Sequence, residues 1–319
     1  MSATPPSVSG VLLVGSVPLA TTSETLKYHI GGIDLPAGHT GTFTLEDVKP
    51  TEYGNAAVHS YKKFLQHQEN GVIPPGVRFQ VSLPIPFAAV QGQIRSELRA
   101  QIEPLYEKRM SDAVRTILEN IPAHDLAIQL DLALKIMALE YERGRVGDYW
   151  KPYFADEEGI LEGILNRIQR FAELISNDVH LGFHFCYGNR DHKHFIEPET
   201  LGVAVEFANN IRDRLKWPIG WMHFPVPKDR DDAAYFEPLS RLELGLPVEE
   251  KTRLYLGLVH ANDEEGTKRR LQMASFFAKD FGVATECGLG RTPVAELDSI
   301  LSISRDVSRP IELATKQHP

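Results

Sequence analysis

A histidine and two cysteines stand at places in this chain where they could share a metal. His180-Leu-Gly-Phe-His184-Phe-Cys186-Tyr-Gly188-Asn189 reads as a buried β-strand running into a turn. Residues two apart in a strand point to one face, so His184 and Cys186 are expected to project side by side. An imidazole and a thiolate at one strand end make half of a zinc site. The other cysteine of the chain, Cys287, also closes an apolar run, Phe281-Gly-Val-Ala-Thr-Glu-Cys287-Gly-Leu-Gly290. Two thiolates and one imidazole leave a position on a tetrahedral metal, the one that catalytic zinc keeps for water or substrate.

Placing these residues on one rim requires a fold that gathers strand ends. Short apolar runs are read as strands at Val11–Val17, Tyr28–Leu35, Val77–Leu83, Leu126–Asp131, His180–Cys186, Pro218–Pro225, Arg253–His260 and Phe281–Cys287. Helical patterns fall between most of them, near residues 91–120, 134–145, 158–176, 199–215, 265–279 and 293–304. Apolar runs alternating with amphipathic helices are the signature of a parallel sheet covered on both faces. Eight such units in 319 residues predict one α/β domain spanning 1–319, a (β/α)8 TIM barrel with extended N-terminal and 228–250 loops. No Gly-x-Gly-x-x-Gly or Walker sequence follows the first strand, which weakens the doubly wound alternative.

A hydrophobic content of 42% is enough for a large core. The net charge of −9, with no basic run to offset it, argues against nucleic acid and anionic membranes. Two cysteines a hundred residues apart are no disulfide framework, which suits a reducing compartment. The run Val11–Leu19 is interrupted by Gly15, Ser16 and Pro18 and does not read as a signal peptide, so a cytoplasmic location is expected.

Active sites of such barrels sit at the C-terminal ends of the strands. That rule collects Ser16, His39, Asp131, His184, Cys186, His223, His260 and Cys287 on one rim. His180, His192 and His194 read as solvated or outlying groups, and the acidic run Asp229–Asp232 as a solvated loop face.

At these residues the chain resembles the cobalamin-independent methionine synthase family, within the wider group that also holds uroporphyrinogen decarboxylase. His184-Phe-Cys186 is similar to the family's zinc-binding His-x-Cys, and Glu286-Cys287-Gly288-Leu289 to its Asp-Cys-Gly-Leu-like motif. Val14-Gly15-Ser16 resembles the Ile-Gly-Ser segment that touches the amino-acid carboxylate. Ile128-Gln129-Leu130-Asp131 resembles the Ile-Gln-Ile-Asp segment whose Asp holds the substrate amine. His260 falls near a histidine that the family places close to the zinc-bound thiol. Where the family has a glutamate ligand this chain has His223, and Leu132-Ala133 replaces the Glu-Pro after Asp131. The resemblance thus implies a single-barrel member with zinc on His184, Cys186, His223 and Cys287.

What the resemblance implies is a zinc-dependent thiol-activating alkyl or methyl transferase, without homocysteine or folate being required. A small molecule, a thiol for preference, is the expected partner. Asp131 and His260 are the expected catalytic groups, with Ser16, His39 and Asp131 binding substrate. A zinc-dependent lyase or hydrolase on the same barrel, and a binding module with structural zinc, are the alternatives.

Overall fold

A computed structural model describes residues 8–12, 42–188, 193–215, 218–245 and 252–308. The described chain runs β1 (Val8–Leu12), α1 (Tyr53–Glu69), β2 (Phe79–Pro84), α2 (Pro86–Gln93), α3 (Arg99–Asn120), β3 (Leu126–Asp131) and α4 (Ala133–Glu142). It continues through α5 (Ala155–Glu158), α6 (Ile160–Ala172), β4 (His180–His184), α7 (Gly202–Arg214), β5 (Ile219–Pro225) and α8 (Ala233–Phe236). Last come β6 (Arg253–Val259), α9 (Glu264–Phe277), β7 (Phe281–Thr285) and α10 (Val294–Val307).

All described strands run parallel in one sheet of order β1-β7-β6-β5-β4-β3-β2. From β2 to β7 each strand lies beside its predecessor, and the first strand pairs with the last. A doubly wound sheet reverses direction at a switch point; this order never reverses. The strand expected at 28–35 lies outside the described residues, as does most of the first predicted strand. β1 and β2 are the two edges of the described sheet.

The two faces of the sheet are built differently. One face carries Ile128, Leu130, Leu181, Phe183, Phe224, Leu256 and Val283, all buried in the main core beneath the helices. Burying each such side chain stabilises the fold by roughly 1.5–3 kcal/mol. α6 answers with Ile160, Ile164, Ile168 and Phe171, a stripe at helical spacing. The other face holds a small apolar layer of its own, Ala127, Trp221, Tyr255 and Ala284. Gly182 makes room for it, because a Cβ there would lie 2.0 Å from the Trp221 ring. Two residues further along this second face come Gln129 on β3 and His223 on β5, both fully buried. The polar residues of the site therefore lie above an apolar plug on the same face.

Two expectations change. The single helix read over 91–120 is two helices, because Pro86 starts α2 at the position that tolerates a missing N–H. The chain then turns at Ile94, whose carbonyl accepts from Arg99 Nε at 2.9 Å, before α3 begins. The acidic run read as a solvated face also holds a helix in place, since Asp232 caps α8 by accepting from the Tyr235 N–H at 3.0 Å. No helix among the described residues is long and apolar enough to cross a membrane.

Candidate metal centre and its cavity

β4 ends at His184 with Cys186 two residues on, and β7 ends at Thr285 with Cys287 two residues on. Two strands separate β4 from β7. In a flat sheet that spacing would hold them about 14 Å apart. Cys186 Sγ and Cys287 Sγ stand 3.8 Å apart, so the sheet curls strongly between them. β6 permits the approach at Gly257, where a Cβ would lie 2.7 Å from Glu286 Cα. Thr285 Oγ1 donates to the Cys287 carbonyl at 2.7 Å and shapes the turn that aims the second sulfur.

His184, Cys186 and Cys287 each present a ligand atom within 4.8 Å of the others, a group that could hold a metal ion. The separation of the sulfurs exceeds a disulfide bond of about 2.05 Å. It matches two thiolates on one tetrahedral zinc, which at Zn–S of about 2.3 Å stand about 3.8 Å apart. His184 is 3 % exposed, and neither ring nitrogen has a hydrogen-bond partner. Buried polar atoms are ordinarily paired, so an imidazole with both nitrogens vacant fits a missing ligand. The Cys186 thiol, donating to Cys287 and buried, is pushed well up. Cys287 is pulled down by that same contact and by His184, despite its burial. Burial pulls His184 down, but the Cys287 sulfur and the Asp131 carboxylate outweigh it and raise it.

His223 stands beside this trio. Its ring stacks on His184 with centroids 4.4 Å apart, and its Nε2 donates to the Thr285 carbonyl at 3.0 Å. Nδ1 has no partner, and burial together with His184 holds the ring neutral, well below its ordinary value. Asp131 ends β3 in register with His184. Gln129 Nε2 donates to its carboxylate at 3.0 Å, and burial raises its pKa. Lys135, 1 % exposed, reaches the Asp131 carbonyl at 3.3 Å, and burial lowers its pKa to about 7. Ser16 and His39 lie outside the described residues.

A cavity of about 230 Å³ opens on both cysteines. His194, His260, Glu286 and Glu296 also line it. His260 Nε2 donates to the Val226 carbonyl at 2.8 Å, and burial lowers its pKa. His194 is bracketed by carboxylates, Glu286 at 3.0 Å on Nε2 and Glu197 at 3.0 Å on Nδ1. Burial opposes its charge, but these two neighbours carry its pKa up to about 9. Sequence reasoning passed over the His194–Glu286 pair, since nothing in the spacing joins a loop residue to a strand end 92 positions on. Gln129 was within reach, because strand alternation puts it on the face of Asp131.

No protein-family model matches the chain, and no curated protein matches its sequence. Among solved structures it is similar to a candidate vitamin-B12-independent methionine synthase from Listeria monocytogenes, with a TM-score of 0.47 and 14% identity. The match covers 78% of this chain and 70% of that one.

Proposed function

We propose that this chain is a zinc enzyme that activates a small thiol for alkyl or methyl transfer. The observation that carries the reading is the trio His184, Cys186 and Cys287, gathered from two distant strands with both sulfurs on one cavity. Three protein ligands rather than four favour an open, catalytic metal over a closed, structural one. His223 stacks on His184 with Nε2 on the Thr285 carbonyl, and its unpartnered Nδ1 keeps it a candidate fourth ligand. The curl between β4 and β7, and a strand order without reversal, support a single barrel.

When bound, zinc supplies a Lewis acid that keeps a coordinated thiol ionised at neutral pH. The chain's own groups do the rest. Cys186 and Cys287 would hold the metal as thiolates, and burial of His184 would fix the third donor. His260, with its N–H on the Val226 carbonyl, offers Nδ1 as the lone pair that takes the thiol's proton. Because burial keeps that ring neutral, the proton passes on to water. Asp131, held by Gln129, orients the polar end of the substrate.

Elemental analysis of the purified protein and of Cys287→Ala tests the metal. About one zinc per chain, lost in the variant, is expected; a metal-free wild type prepared without chelators overturns the reading. A second measurement separates thiol chemistry from hydrolysis. The cobalt-substituted protein should gain sulfur-to-cobalt absorption when 2-mercaptoethanol is added, and an unchanged spectrum would remove the thiol from the metal.

A further inference from the structure

Cys186 and Cys287 are the two cysteines of the chain, and their sulfurs meet at 3.8 Å with no bond between them. We propose that a peroxide reaching the cavity converts them to a reversible disulfide, so that zinc and oxidant compete for the same two sulfurs. Oxidation would then switch the metal centre off. The inference concerns the regulation of that centre and rests on the zinc reading above.

Placement is the first observation. Each cysteine lies past the last paired residue of its strand, since β4 pairs with β5 as far as His184 and β7 with β6 as far as Thr285. Closing from 3.8 Å to a disulfide of about 2.05 Å moves each sulfur inward by about 0.9 Å. Two turns absorb that movement, and the strand ladder stays intact. The cysteines are 101 positions apart, so the folded sheet, and not the local chain, holds them in contact. With no third cysteine in the sequence, neither sulfur has another thiol to exchange with inside the molecule.

Unequal access sets the order of events. Both residues line the cavity, but Cys186 is 7 % exposed and Cys287 is only half-buried. A space of about 230 Å³ admits a molecule as small as hydrogen peroxide. The Cys287 sulfur attacks one peroxide oxygen, and the oxygen–oxygen bond breaks with its electron pair on the departing oxygen. That oxygen takes the thiol proton and leaves as water, and Cys287 becomes a sulfenic acid. The Cys186 sulfur then attacks the Cys287 sulfur. The sulfur–oxygen bond breaks, and the hydroxyl leaves with the Cys186 proton as a second water. Each sulfur gives up one electron, and the peroxide takes both. A dithiol reductant reverses the step by exchange.

The metal opposes this chemistry with the same atoms. Bound zinc would engage both sulfurs at about their present spacing. A disulfide leaves His184 as the one remaining donor of the trio, too few to keep the ion. Zinc thus shields the pair, and oxidation expels zinc.

The test treats zinc-loaded and zinc-stripped protein with stoichiometric hydrogen peroxide. Stripped protein should become about 2 Da lighter, lose both free thiols and stay a single chain on a non-reducing gel. Dithiothreitol should restore the thiols and the capacity for zinc. Zinc-loaded protein should react roughly tenfold more slowly or less, releasing zinc to a chromogenic chelator as its thiols disappear. Cys186→Ser should stop at a sulfenic acid on Cys287 that dimedone traps, while Cys287→Ser should react far more slowly. Circular dichroism of each variant shows whether it is folded, and the wild-type masses decide the matter if one is not. Oxygen addition without the 2 Da loss, cross-linked chains, or equal rates with and without zinc overturns the proposal. Zinc content of the reduced protein is measured first. Zinc bound without disulfide formation sinks the switch alone, while no zinc bound sinks the metal reading and the switch with it.

Discussion

Polar side chains are buried in two regions of this molecule that are built on opposite plans. In the helical layer, Arg167 and Glu103 are each almost wholly enclosed, and every donor nitrogen of the guanidinium is engaged. Nε and Nη2 meet the Glu103 carboxylate at 2.9 Å, and Nη1 reaches Glu158 and the Gly163 carbonyl, both at 2.9 Å. Tyr153 donates to the same carboxylate, and the guanidinium lies 3.6 Å over the Phe154 ring. At the strand ends, by contrast, both nitrogens of His184 and one of His223 are left without partners in an equally dry place. Satisfied burial marks a structural knot, and unsatisfied burial marks a place kept for something else. Lys135 sits between the two regions, feeling both Asp131 and Glu103.

Arg167→Met should be the costliest way to break the comparison. It leaves Glu103 buried and uncompensated, a loss of about 3–5 kcal/mol in urea unfolding. Zinc content should not change, since none of the knot's hydrogen bonds reaches the trio. A variant that loses metal as well would show that the regions are coupled.

The Lys135 ammonium carries the next effect, of a few kcal/mol. Its folded pKa of about 7 lies below the ordinary 10.5, so the unfolded chain binds more protons between these values. Stability should therefore rise with pH from about 7 to about 10.5 and be lowest below 7. Lys135→Met should flatten that rise, and equal pH slopes in variant and wild type would deny the burial penalty.

At the strand ends the effect should depend on metal. Free zinc at a hundred times its dissociation constant should stabilise the wild type by about 2.7 kcal/mol. Cys186→Ser should fold without metal and gain almost nothing from zinc. If Cys186→Ser cannot fold at all, the site is structural, and the contrast between the regions collapses. The mildest change is His223→Phe, which keeps the stack on His184 and strands the Thr285 carbonyl. It should cost about 1–3 kcal/mol and retain the zinc. Loss of the metal would instead make His223 a ligand.

Much of the frame was legible in the order of residues. Continuous apolar runs located β2 through β7 to within a few residues, because strands buried on both faces have little polar sequence within them. His-x-Cys spacing placed His184 and Cys186 together through strand alternation, which is local geometry. The break between α2 and α3 was hidden because Ile94 and its neighbours keep a helical composition, and the bond from Arg99 that turns the chain has no sequence signal.

What the sequence determined by itself is therefore a matter of periods: which segments are strands, which face each residue takes, and that each cysteine follows a strand end. Only the tertiary structure could decide distances between segments. The meeting of Cys186 with Cys287 depends on how far the sheet curls across β5 and β6, a sum of twists that no local pattern encodes. The same curl set His223 against the Thr285 carbonyl and drew His194 to Glu286. Residue types supplied the donors, and the curvature of the sheet chose which of them share a cavity.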